Sequence, residues 1–257
     1  MDGSLRAYRT MGVIRSAISS VATIGDLPAG QHRFVRQFMR AVFNEKPALP
    51  RYSATWDPDL VLSYLRGLGP NDGLSLLALS QKLCVLMLLL SGQRGQSMLA
   101  LNLDNMVLGE DRVSFRITSV LKTTRPGSHL SELVFPSFPP DDLLCPVVTL
   151  RFYLQKTATL RGGTRGLFII SRRPFSLASR ATISRWVRTC LGLAGIDVSI
   201  FAAGSTRMAS SSKASLLMPL DALLAAVGWS QGSTFAIHYG RPIRPGSFAG
   251  ALMGNFV

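Results

Sequence analysis

Few of the 257 residues carry the groups that common catalytic sites use, and those that do are mostly cations. The three histidines (His32, His129 and His238) stand far apart, and Cys84, Cys145 and Cys190 are widely spaced. Neither type therefore offers a metal-ligand pair. The sequence has no phosphate-cradling Walker loop, no dinucleotide glycine fingerprint after a strand and no Gly-x-Ser-x-Gly elbow. Lys and Arg total 28 against 14 Asp and Glu, a net charge of +14. Residues 143–257 hold 13 basic groups against two acids, Asp197 and Asp221, a net of +11; residues 1–142 carry only +3. Acids so scarce argue against a two-carboxylate or two-metal site in that half. Chemistry on a phosphate would have to rest on arginine, lysine and a side-chain nucleophile.

A field of one sign over half a chain attracts polyanions, of which nucleic acid is the commonest inside cells. Arginine dominates the excess, and its planar fork suits phosphate geometry. The alternative is a solvated surface that keeps the protein soluble. The composition, 47% hydrophobic and 16% charged, excludes a disordered chain. The longest fully apolar run, Leu83 to Leu90, is far short of the roughly 20 residues that span a bilayer. No apolar stretch follows Met1 to read as a secretory signal. An odd number of scattered cysteines fits a reducing compartment, so the expectation is an intracellular protein with no membrane association.

The elements that must position such groups can be read from periodicity. Residues 4–24 read as a helix, with Leu5, Tyr8, Val13, Ala17 and Val21 on one side. Residues 33–43 form a clearer one: Phe34, Val35, Phe38, Met39, Val42 and Phe43 make a packing face, and Arg33, Arg36 and Arg40 share the other side. Those arginines suit either a solvated face or a phosphate backbone. Lys46 to Ser53 carries two prolines and reads as a linker. A helix starts at Asp57-Pro58, with Asp as N-cap and Pro in the first turn. Leu74 to Leu90 is apolar nearly all round, which predicts a buried central helix ending near Ser91-Gly92. Residues 112–120 change to period two, a half-buried strand, and Leu130 to Phe135 return as its partner after Pro126-Gly127. Leu167 to Ile170 is a short apolar stretch before a loop at Arg172-Arg173-Pro174. A helix over 181–194 turns Ile183, Trp186, Val187, Cys190 and Leu191 inward and Arg180, Arg185 and Arg188 outward. Helices near 205–217 and 219–227 follow, and no internal repeat appears. The fold class expected is mainly α with a small antiparallel β-sheet.

Seven segments, in order, resemble one family. They are Ser91-Gly-Gln-Arg94, Leu121-Lys-Thr-Thr-Arg-Pro-Gly127, Thr182-Ile-Ser-Arg-Trp186, Ala194-Gly-Ile-Asp197, Ser205-Thr-Arg207, Gly228-Trp-Ser230 and Ser233-Thr-Phe-Ala-Ile-His-Tyr239. The family is the tyrosine recombinases, the phage-integrase and Xer class, and the chain is most similar to those encoded by DIRS-type retrotransposons. The likeness runs through nearly the whole chain from about Ser16. It implies a tyrosine-recombinase catalytic-domain fold with a partial N-terminal core-binding segment. The domains expected are a core-binding segment over 1–46, a linker over 47–52 and a catalytic domain over 53–257.

The resemblance places the family's two arginines on Arg94 and Arg207, its hairpin lysine on Lys122 and its nucleophile on Tyr239. Trp229 falls where other members have His or Trp. In that scheme the guanidiniums grip the non-bridging oxygens of a scissile phosphate and stabilise the pentacoordinate transition state. Lysine gives a proton to the departing 5′ oxygen. The tyrosine attacks and stores the phosphodiester energy in a 3′-phosphotyrosyl bond. No metal and no other cofactor is implied. Double-stranded DNA is the implied partner, with Arg33, Arg36, Arg40, Arg180, Arg185 and Arg188 as candidate DNA-binding residues. A homo-oligomer, a tetramer on DNA, and a nuclear location are the family expectation.

Taken singly, each site residue has a structural reading: a helix-end cation for Arg94, a turn lysine for Lys122, a core aromatic for Trp229, a half-buried phenol for Tyr239. As an ordered set in a basic half-chain they favour an active site. Two departures from the family stand out. Where members carry His or Lys, three residues before the second arginine, this chain has Gly204; His238 is a poor substitute because sequence neighbours point apart. The N-terminal helical segment is also short. The alternatives are thus a catalytically impaired or domesticated DNA-binding relic of the same fold and, more weakly, a basic RNA-binding protein.

Overall fold

A computed structural model describes residues 8–47, 51–122, 124, 126–127, 129, 132–229 and 232–243. The chain divides into two compact units, Met1–Arg51 and Tyr52–Val257.

In the first unit, α1 (Tyr8–Ser19) leads into a short hairpin of β1 (Thr23–Ile24) and β2 (Leu27–Pro28), then a 3₁₀ turn and α2 (Arg33–Glu45). The single helix expected over 4–24 stops at Ser19, and residues 4–7 lie outside the described residues. Gly25, at φ +61°, lets the chain turn between the β-branched pair Thr23-Ile24 and Leu27, a conformation that ends any helix there. The expected packing face of α2 is buried only at Met39 and Val42. Phe34, Phe38 and Phe43 are exposed.

The second unit is built round α4 (Leu76–Ser91), on which every residue from Lys82 to Leu89 is buried. Ser75 caps it, its hydroxyl accepting from the Ala78 amide at 3.2 Å. It packs against α6 (Pro146–Thr157), α7 (Arg180–Leu193), α8 (Ser205–Ala214) and the sheet. Each large aliphatic side chain so buried contributes about 1.5–3 kcal/mol. The neighbouring α3 (Pro58–Gly67) begins as its sequence predicts, with the Asp57 carboxylate accepting from Asp59 N at 3.1 Å.

The sheet has three antiparallel strands in order: β3 (Met106–Leu108), β4 (Arg112–Arg116) and β5 (Glu132–Pro136). Val113 pairs with Phe135 and Phe115 with Leu133, and all four are buried on one face. Strand β4 stops at Arg116, short of the expected 120, and further on Thr124 N donates to Leu121 O at 2.9 Å. The expected partner strand begins at Glu132; Leu130 and Ser131 lie outside the described residues. On α7, Ile183, Trp186, Val187, Cys190 and Leu191 are buried, while Arg180, Arg185 and Arg188 are exposed, as periodicity predicts. After α8 come α9 (Leu220–Val227) and α10 (Gly232–His238). Periodicity does not predict α6 or the shorter α5 (Gly95–Leu99) and α10. Among the described residues, no helix is long and apolar enough to cross a membrane.

Candidate active site

Three helix ends bring the site together. Helix α4 terminates at Gly92, whose φ of +58° is the left-handed cap conformation that favours glycine. A side chain there would put Cβ 3.1 Å from Val227 Cγ2, so the glycine also lets the end of α4 approach the end of α9. The next residue, Gln93, donates from Nε2 to the Val227 carbonyl at 3.1 Å, and Arg207 Nη2 donates to the same oxygen at 3.3 Å. That carbonyl ties the segments of Arg94, Arg207 and Trp229 to one point. Arg207 lies in the first turns of α8 and is only 2% exposed; Trp229 follows the left-handed Gly228 that ends α9.

Tyr239 completes the group, one residue beyond α10. Arg94 Nη2 donates to Tyr239 Oη at 2.8 Å across 145 residues of sequence. The Tyr239 and Trp229 rings lie 4.6 Å apart between centroids. The Arg207 guanidinium carbon is 4.7 Å from the Trp229 centroid and 5.4 Å from that of Tyr239. Trp229, Leu223 and Val227 form a small apolar core of their own, with Tyr239 packed against it.

The electrostatics are unusual for a buried arginine. Among the described residues neither Arg94 nor Arg207 is paired with an acid. Burial, and then the Arg94 charge, push the Arg207 pKa down to about 10, which Tyr239 partly opposes. Arg207 Nε and Trp229 Nε1 are buried and find no acceptor among the described residues. Buried donors without partners are uncommon. Two guanidiniums, an indole N–H and a phenol are complementary to a small anion rich in acceptor oxygens, as a phosphodiester is.

The position of the phenol is set by contacts that the sequence does not advertise. Ser212, on the same helix as Arg207, donates to the Tyr239 carbonyl at 2.8 Å and accepts from Arg241 N at 3.1 Å. The Arg241 guanidinium donates to Tyr52 O at 2.9 Å and to Ile237 O and Gly240 O, each at 2.7 Å. Thr55 N donates to Pro242 O at 3.0 Å. Gln93, Ser212 and Arg241 were not candidates on sequence, since lone Gln, Ser and Arg residues follow no spacing rule.

Of the other sequence candidates, Lys122 is exposed in the turn after β4, and no hydrogen bond or ion pair among the described residues joins it to the four converging residues. Gly204 is the exposed N-cap of α8, with φ −72°, and a Cβ built on it meets nothing within 4 Å. His238 is exposed. Arg33, Arg36 and Arg40 are exposed on α2, where Arg36 and Arg15 line an open cleft of about 810 Å³. No cluster of three or more metal-ligating side chains occurs among the described residues.

Solved structures similar to this chain include recombinases and an integrase. The chain aligns over 97% of its length with XerA recombinase, at TM-score 0.56 and 12% identity, covering 83% of that chain. The fold is that of tyrosine recombinase catalytic domains. The Tn1549 transposon integrase in complex with transposon right-end DNA gives TM-score 0.57 at 15% identity, over 97% of this chain and 80% of that one. XerH site-specific recombinase bound to its palindromic difH substrate gives TM-score 0.57 at 15% identity over 87% of this chain. The chain spans 66% and 59% of the lengths of the two XerH chains it matches. No protein-family model and no curated protein sequence matches it.

Proposed function

We propose that this chain is a DNA strand transferase of the site-specific recombinase and integrase kind, with Tyr239 as nucleophile. The observation that carries this reading is the Arg94–Tyr239 hydrogen bond, with Arg207 lying against the Tyr239 ring. The group joins three distant segments around a phenol, and among the described residues no acid pairs with either arginine. Arg94, Arg207 and the Trp229 N–H hold the non-bridging oxygens of the scissile phosphate, and the two charges stabilise the transition state. Tyr239 Oη forms the bond to phosphorus and its proton passes to solvent. The P–O5′ bond breaks, and Lys122 supplies the proton that the 5′ oxygen takes up. A new 5′ hydroxyl reverses the step.

The exposed arginines of α7 (Arg180, Arg185 and Arg188) and of α2 (Arg33, Arg36 and Arg40) are assigned to backbone phosphates of duplex DNA. In this reading residues 1–46 are the core-binding segment, 47–52 a linker and 53–257 the catalytic domain. Origin from a DIRS-type retrotransposon, a nuclear site of action and a tetramer on DNA complete it. A second reading, a catalytically impaired DNA-binding relic, draws support from Gly204, which offers no donor where the family has His or Lys.

A nicked suicide DNA substrate separates the two. The strand-transfer reading expects a covalent protein–DNA complex that disappears in Tyr239→Phe. DNA binding without any such complex supports the relic, and no affinity for duplex DNA overturns both.

A further inference from the structure

We propose that His129 is a positioning residue for Lys122, an inference that rests on the strand-transfer reading for its functional consequence. Its Nε2 lies 2.8 Å from the Ile117 carbonyl, which can only accept, so Nε2 carries the proton. In the neutral ring Nδ1 is then an acceptor, and the Thr124 hydroxyl, 3.1 Å away, donates to it. Thr124 Oγ1 in turn accepts from the Leu121 amide at 3.0 Å. The result is a one-way relay from Leu121 N–H through Thr124 Oγ1–H to His129 Nδ1, with Nε2–H closing on Ile117.

This relay brackets Lys122. The lysine occupies the second position of the turn whose ends, Leu121 and Thr124, are joined by the Thr124 N to Leu121 O bond of 2.9 Å. The Leu121 side chain is buried and anchors one flank; the relay anchors the other to Ile117, the residue after β4. Lys122 itself is exposed, and no protein acceptor holds its ammonium among the described residues. An ammonium on a flexible four-carbon stem is aimed by its backbone when nothing holds its tip. His129 therefore fixes the direction from which Lys122 delivers its proton to the 5′ oxygen as the P–O5′ bond breaks. Sequence alone offers no signal for this, because His129 lies seven residues from the lysine with a proline and a glycine between them.

The test uses five full-length proteins: wild type, His129→Phe, His129→Gln, Lys122→Ala and the double variant His129→Phe/Lys122→Ala. Gln keeps a donor and an acceptor at the ring's position; Phe keeps the bulk alone. Single-turnover cleavage is measured on a normal suicide substrate and on one with sulfur at the bridging 5′ position, whose thiolate leaves without needing a proton. His129→Phe is expected to cut the normal substrate about tenfold more slowly, part of the 10²–10⁴ that a general acid supplies. On the sulfur substrate its rate should return to within about threefold of wild type, as should that of Lys122→Ala, and His129→Gln should recover much of the loss on the normal substrate. Hydrogen exchange at the Leu121 amide should quicken about tenfold in His129→Phe and stay near wild type in His129→Gln. A cleavage defect that persists on sulfur, or that adds to the Lys122→Ala defect, overturns the proposal, as does unchanged exchange at Leu121. If wild type cuts neither substrate the strand-transfer reading falls, and exchange at Leu121 still decides whether His129 holds the turn.

Discussion

Replacing Gly204 with histidine should accelerate covalent-complex formation, and the structure bounds the size of the effect. Gly204 caps α8 three residues before Arg207, with a φ of −72° that any residue adopts, and its Cβ position is open to 4 Å. No backbone or steric cost therefore offsets the new side chain. Stability should move by less than about 1 kcal/mol, since Gly is itself a tolerated N-cap and histidine narrows the unfolded ensemble. A general acid–base group contributes about 10²–10⁴ in rate, or roughly 3–5 kcal/mol of barrier. A histidine grafted without evolved support should realise part of that, about tenfold or more, equivalent to about 1.4 kcal/mol. The assay is the single-turnover rate of 3′-phosphotyrosyl formation on a nicked suicide substrate for wild type, Gly204→His and Tyr239→Phe. Equal rates for the first two, with an unchanged melting curve for the variant, would refute the idea that the missing group limits this site.

Further predictions concern the two arginines and the charge they create. Arg94→Ala should abolish cleavage and leave the melting temperature nearly unchanged, because Arg94 is half-exposed and, among the described residues, its side chain hydrogen-bonds to Tyr239 Oη alone. Arg207→Met should abolish cleavage yet match or exceed wild-type stability. Burial and the Arg94 charge, which push the Arg207 pKa down to about 10, disfavour a guanidinium there, and an apolar side chain of similar length removes that cost; severe destabilisation by urea melting would contradict this. Sulfate at ten times its dissociation constant should stabilise wild type by about 1.4 kcal/mol and Arg94→Ala by clearly less, with chloride at equal ionic strength as control. DNA affinity should fall steeply with salt, the log–log slope lying near −5 if about six phosphates are neutralised; a flat filter-binding titration would remove the polyanion reading.

What the sequence discloses depends on how local the cause is. Helix α4 is legible because apolar residues on every side have only one place to go, and α7 because its arginines and aliphatics alternate with the helical period. The short α1 and the hairpin after it were not, since Gly25 and two β-branched residues outweigh an imperfect helical pattern that buries nothing. The exposed phenylalanines of α2 show the reverse failure: the pattern marks an apolar face but says nothing about what covers it. In the site, Arg94, Arg207, Trp229 and Tyr239 stood out through ordered motifs, and the structure brings them together. Their common anchor on the Val227 carbonyl was invisible, because a main-chain acceptor carries no residue type.

The fastening of the Tyr239 segment has a genetic consequence. Ser212, Arg241 and the Thr55–Pro242 bond tie the main chain beside Tyr239 to the same unit that carries Arg94 and Arg207. One polypeptide thus owns a whole site, and two differently damaged copies have nothing to lend each other. An allele lacking Arg207 and an allele lacking Tyr239, expressed together, should fail to complement, and mixing the two purified proteins on one DNA should trap no covalent complex. Recovery of activity in the mixture would mean that the segment leaves its moorings and serves a neighbouring copy.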